Sequence, residues 1–200
     1  MANISRTGFW PVDTLTSSHE VHVRRQEVAS SNATAIFVGD ALISVAGGTV
    51  LPTTAGGGVY GVAQGVSYVT GGKRISAKYV PITTTYSPTA RGSENATYCF
   101  FYDDPGTTFE GQFATALTSS AYQYIHNNVD IVATAGSVTT GISGHTLNHV
   151  GVTTATMDFR IIQLADIRPD EDVTAANQHA WVQMNRATAG ANPFLTVTGV

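Results

Sequence analysis

Residues 97–113 constrain the chain more than any other stretch. Thr97-Tyr-Cys-Phe-Phe-Tyr102 is so rich in aromatics that it reads as a strand buried on both faces. Asp103-Asp-Pro-Gly106 then breaks the run. Pro105 presets φ for the first central turn position, and Gly106 suits a positive φ at the second. From Thr107 the pattern alternates, with Phe109, Gly111 and Phe113 on one face and Glu110 and Gln112 on the other. The expectation is a β-hairpin. It is architecture, with no mark of an active site.

The rest of the chain repeats this theme of short strands between turn residues. Ile36–Val38 and Leu42–Val45 flank Gly39-Asp40, a turn pair. Val59–Val69 reads as a strand in which Gly61 and Gly65 signal bulges or close backbone approach. Arg74–Val80 alternates, with Ile75, Ala77 and Tyr79 opposite Arg74, Ser76 and Lys78. Ser119–Asn127 is the one helical turn expected before residue 170, capped by Ser119 or Ser120. Val129–Ala133 and Leu147–Val152 are further short strands, with a Ser137–Ser143 loop between them. In Met157–Leu164 the apolar phase slips, which calls for burial on both faces or a bulge at Ile161-Ile162. Ala180–Met184 reads as the closing strand.

Many short strands at close spacing make the expected fold all-β with a minor helix, a short-stranded barrel or sandwich. The expected organisation is an extended N-terminal arm (1–34), a first β domain (35–93), a second β domain (94–185) and a C-terminal tail (186–200). The arm assignment rests on residues 1–30, where no periodicity persists long enough to define a core element.

Composition narrows the function. At 200 residues the chain can bury roughly 70% of its unfolded surface without disulfides or metals. Cys99, the single cysteine, lies among aromatics and reads as an inert buried thiol. Met1–Arg6 lacks the apolar core of a signal peptide, so the expectation is synthesis in a reducing cytoplasm. In that context the acceptor patterns at Asn32 and Asn95 read as chance matches. Apolar runs are strand-sized, which argues against a membrane partner. Charged residues make up 12% of the chain, against about 25% in an average protein, and only Lys73 and Lys78 are lysines. Thr, Ser, Gly and Ala replace charge, which reads either as an ordinary Thr-rich β surface or as a neutral one, cheap to desolvate, that lies in large part against other subunits. A net charge of −4 with no basic stripe argues against nucleic acid.

Candidate chemistry is sparse. Gly56–Gly61 fits the dinucleotide-binding letters, but a strand is expected to follow where that motif needs a helix. His145 and His149 have the i, i+4 spacing of a helical metal pair, yet they sit in an extended, Gly- and Thr-flanked segment without a third ligand. His19 and His22 have a spacing that puts them on opposite faces of a strand. Asp103 and Asp104 are adjacent at a turn, where carboxylates splay apart and cap the backbone. Asp170-Glu-Asp172 reads as a solvated turn. No nucleophile elbow or phosphate loop occurs. The expectation is therefore no catalytic, cofactor-binding or metal residue, and no enzyme.

Two sets of residues carry a resemblance. The first is Val38-Gly-Asp40 followed, after a Gly/Pro-rich gap, by Gly58-Val-Tyr-Gly-Val-Ala-Gln-Gly-Val66. The second is the ordered series Phe101-Tyr-Asp-Asp-Pro105, Phe109-Glu-Gly-Gln112, Asn128-Val-Asp130, Thr140-Gly-Ile-Ser143, Phe159-Arg-Ile-Ile162 and Pro169-Asp-Glu-Asp172. Across residues 35–185 the chain resembles head decoration (capsid cement) proteins of tailed bacteriophages, including those of marine phages. The resemblance implies a structural virion protein on the exterior of an icosahedral head, bridging neighbouring capsid proteins. The implied partner is the major capsid protein, and closed symmetry suggests self-association as a homotrimer at local threefold positions, or else as a dimer at twofold junctions. Other readings stay open: a head-fibre base or tail component, or a carbohydrate-binding β module using Trp10, Trp181 and the tyrosines. A hydrolase would have only His145, His149 and Asp103 to draw on.

Overall fold

The structure is a computed structural model that describes residues 7–14, 21–29, 31–45, 48–54, 58–81, 94–117, 121–149, 157–165 and 177–185. These residues form an all-β, sandwich-like fold of antiparallel sheets. The strands are β1 (Trp10–Thr14), β2 (Val23–Glu27), β3 (Ile36–Phe37), β4 (Ala41–Val45), β5 (Thr49–Pro52), β6 (Gly61–Thr70), β7 (Lys73–Ala77) and β8 (Tyr79–Val80). They continue with β9 (Tyr98–Tyr102), β10 (Thr107–Gln112), β11 (Asn128–Val129), β12 (Ile131–Val132), β13 (Thr146–Leu147), β14 (Phe159–Leu164) and β15 (His179–Met184). A single 3₁₀ turn, Ala121–Tyr124, stands within the expected helical segment, whose proposed caps Ser119 and Ser120 lie outside the described residues.

The first large sheet runs β2-β9-β6-β4-β5, with β7 also paired to β6. It curls back on itself, because Val28 just after β2 bridges Val50 of β5 and Ala29 N–H donates to the Val50 carbonyl at 3.1 Å. Inside this curl lie Val28, Ile36, Leu42, Val50, Val66, Cys99 and Phe101. The second large sheet runs β1-β10-β15-β14-β11. Its core gathers Phe9, Phe109, Phe113, Phe159, Ile161 and Val182, together with Ala41, Val59 and Val62 from the first half of the chain. The small pair β12-β13 joins it through a Phe113–Leu147 bridge.

The expected hairpin is not a hairpin. β9 pairs with β2 and β6, while β10 pairs with β1 and β15. The turn itself forms: Thr107 N–H donates to the Asp104 carbonyl at 3.0 Å, and Gly106 N–H donates to Asp104 Oδ1 at 2.8 Å. Gly106 does not use a positive φ. The turn is thus a corner that carries the chain from one sheet to the other. Turn chemistry is the same for both outcomes; burial chooses, since Cys99 and Phe101 fill one core while Phe109 fills the other. Nor is β9 buried equally on both faces, because Tyr98, Phe100 and Tyr102 remain half-buried.

Residues 7–14 and 21–29 belong to the fold rather than to an extended arm. Phe9 is 1% exposed in the second core, β1 pairs with β10, and β2 pairs with β9. These strands lack strong alternation because they are outer strands with one weakly buried face, where Pro11 and a register shift at Val12 are tolerated. Strand pairing consequently crosses both expected boundaries, at 34/35 and at 93/94. Arg74–Val80 divides at Lys78 into β7 and β8, which pair with β6 and β3 respectively. Val129–Ala133 likewise divides at Asp130.

Other expectations hold. β6 shifts register between Ala63 and Gly65. A Cβ on Gly61 would lie 2.5 Å from Phe101 Cδ2. The slip in β14 is a register shift between Ile161 and Gln163 against β15.

Candidate functional site

A buried polar cluster surrounds the turn between β3 and β4. Gly39 adopts φ +90°, and a Cβ there would lie 3.1 Å from the Gly8 Cα, so the turn needs glycine on both counts. The sharp turn swings the Asp40 carboxylate back onto its own backbone, where Oδ2 accepts Phe37 N–H at 2.8 Å. Oδ1 makes no hydrogen bond and stands 3.6 Å from His145 Nε2. His145 Nδ1 accepts Ala41 N–H at 3.2 Å, and its own amide donates to Ser143 Oγ at 2.9 Å. Backbone bonds from Gly8 to His145, Phe9 to Gly39, Gly39 to Ala63 and Ser143 to Val38 tie four segments to this point.

Electrostatics follow from burial. Desolvation raises the Asp40 pKa to about 6, with the Ser143 hydroxyl and the Phe37 amide pulling the other way. The same desolvation lowers His145 to about 4. Because Nδ1 accepts a backbone N–H, the neutral ring carries its proton on Nε2, facing Asp40. At pH 7 the pair is a carboxylate beside a neutral imidazole.

Serine, histidine and aspartate together suggest a hydrolytic relay, but the wiring differs. A relay needs the imidazole to accept the serine proton. Here the accepting nitrogen is occupied by Ala41 N–H, and Ser143 Oγ meets the His145 backbone rather than its ring. With all three side chains buried, what this arrangement does is lock backbone.

The remaining candidates are dispersed. His149 Nδ1 pairs with Thr115 Oγ1 at 2.6 Å, away from the Asp40 contact made by His145. His22 is exposed, and His19 lies outside the described residues, as do Asp170, Glu171 and Asp172. Asp103 and Asp104 splay apart, the first to Arg24 Nε at 2.7 Å and the second into its turn. Gly56 and Gly57 are outside the described residues. Gly58 N–H donates to Asp158 Oδ1 at 2.9 Å, and strand β6 follows. Cys99 is fully buried, and burial, helped by the Asp40 charge, pushes its thiol pKa up. Among the described residues no three His, Cys, Asp or Glu side chains are grouped to hold a metal, and no helix is long and apolar enough to cross a membrane.

Two features escaped sequence reasoning. Fully buried Asp158 accepts Gly58 N–H at 2.9 Å and Ile131 N–H at 3.2 Å, stitching distant loops together. Its signal was a lone carboxylate beside an apolar strand. The second is strand register, which brings Trp10 and Trp181 to the same face on either side of Glu110. No protein-family model matches this chain, and comparison with curated proteins and with solved structures gives no match.

Proposed function

We propose that this chain is a structural virion protein that binds the outer surface of an icosahedral phage head and stabilises it by bridging neighbouring capsid proteins. The observation that carries the reading is how the buried ionisable groups are used. Asp40, His145 and Asp158 accept backbone N–H groups and fasten loops to strands. That is the chemistry of a rigid framework. The resemblance in strand and turn motifs supports it, as does a surface poor in charge and nearly free of lysine. A cement protein that binds the assembled shell and not its dispersed subunits stabilises the shell by mass action, accumulated over many copies. Self-association into a trimer at local threefold positions fits this role, with a dimer as the alternative. The protein acts on no substrate in this reading.

The test is sedimentation of purified protein with expanded, undecorated capsids, counting bound copies. Saturation at a fixed ratio to the capsid protein is expected. Absence of binding would reject the reading and move the assignment to a head-fibre base or tail component.

A further inference from the structure

Strand register aligns a row of side chains across the outer face of the second sheet. Trp10 of β1 lies opposite Glu110 of β10, Glu110 opposite Trp181 of β15, and Trp181 opposite Gln163 of β14. Directly opposed residues share a face, and the neighbours Phe9, Phe109, Ala180 and Val182 point into the core. The row therefore lies on the face turned away from that core, with Gln163 exposed and Trp10, Glu110 and Trp181 half-buried. The backbones of the two tryptophans stand two strands apart, about 9–10 Å.

The groups in this row are held and yet not saturated. Trp10 Nε1 donates to the Thr7 carbonyl at 3.0 Å, which pins its ring. His179 Nδ1 holds Glu110 Oε1 at 2.6 Å, leaving Oε2 without a partner among the described residues. Within that same set the Trp181 indole N–H has no acceptor, and the exposed Gln163 amide makes no hydrogen bond. Bonds from Gln183 to Thr108 and from Gln112 to Asn177 fix the rims. Two half-buried indoles, the first pinned through its N–H, with a carboxylate, an indole N–H and an amide between and beside them match the stacking faces and hydroxyls of a sugar chain. Apolar faces of alternate pyranose rings stack on the indoles, and hydroxyls pair with the polar atoms. A central carboxylate in a chain of net charge −4 disfavours polyanions, including nucleic acid and sulfated or sialylated glycans.

We propose that this face binds a neutral oligosaccharide laid across the strands, with Trp10 and Trp181 as stacking platforms, Glu110 and Gln163 as hydrogen-bonding groups, and His179 as the residue positioning Glu110. The proposal does not depend on capsid attachment, which the sedimentation experiment reads separately.

Trp10 and Trp181 are the only tryptophans, so indole emission reports on this row alone. The 200-residue chain is titrated with cellohexaose and maltohexaose and applied to an array of neutral glycans. A saturable change in emission is expected with at least one of them. Trp181→Ala and Glu110→Gln should each weaken that binding at least about tenfold, which is about 1.4 kcal/mol. Trp181→Phe should keep most of it. Exposed Gln163→Ala should leave the fold intact and weaken binding severalfold, so the test survives if Trp181→Ala unfolds. A blank array with unchanged emission would overturn the proposal, and so would binding that Glu110→Gln and Gln163→Ala leave intact.

Discussion

The Asp40–His145 pair makes a residue-scale prediction whose sign can be worked out. Asp40 has a folded pKa raised from 3.8 to about 6, so its contribution to stability is present below 3.8 and lost as pH rises through about 6. His145 is lowered from 6.5 to about 4, so its contribution is present above 6.5 and lost as pH falls through about 4. In the native protein the two opposed slopes nearly cancel between pH 4 and 6. Removing one partner exposes the other. His145→Gln should lose stability as pH rises from 4 to 6, whereas Asp40→Asn should gain it over the same range. Urea denaturation at pH 4.5 and pH 7 checks both signs, and parallel slopes in the two variants would contradict the assignment. Gly61 supplies a second prediction at this scale. Its Cβ would sit 2.5 Å from the Phe101 ring and 2.7 Å from the Tyr102 carbonyl oxygen, so Gly61→Ala should cost about 1–3 kcal/mol by overpacking. The sequence suggested a close approach at Gly61, but could not name the ring that comes close.

At the scale of elements, the corner at Asp103–Gly106 decides the topology. It sends β9 into one sheet and β10 into the other, and the Tyr102 and Phe109 rings, 6.3 Å apart, span the junction. β1 is the element whose value the sequence concealed. A strand carrying Pro11 and an exposed Val12 shows little amphipathic pattern, yet the preceding Phe9 packs against Phe159 at 4.5 Å between ring centroids. Phe9→Ala should therefore cost about 3–5 kcal/mol in chemical denaturation, as for a fully buried core aromatic. A change below about 0.5 kcal/mol, typical of surface positions, would restore the picture of a loose arm.

At the scale of the whole molecule, the two cores are not built from two halves of the chain. Ala41, Val59 and Val62 pack into the second core, and the Asp40–His145 contact joins the β3–β4 turn to the segment before β13. One cooperative transition is expected in calorimetry, with equal calorimetric and van't Hoff enthalpies. Two resolved transitions would indicate domains that fold separately. Deleting residues 1–30 should lower the stability of the entire fold, because it removes Phe9, β1, β2 and the Val28 bridge that closes the first sheet. Weaker capsid attachment by that truncation would thus report on folding, whereas exposed single substitutions test attachment itself.

What the sequence determined by itself was local. Strand-type runs, the turn at Asp104–Thr107, the close approach at Gly61 and the slips in β6 and β14 depend on neighbours a few residues apart, and they are as expected. Candidate sites were legible only as letters: His145 could be named, but its partner Asp40 lies 105 positions away, and their contact exists only after two loops are buried together. Tertiary structure alone decided which strands pair, that β9 and β10 part company, and that Trp10, Glu110 and Trp181 form one row. The reason is physical. Backbone preferences and turn geometry are set within a few bonds, whereas pairing and desolvation are settled by which distant apolar faces bury each other best.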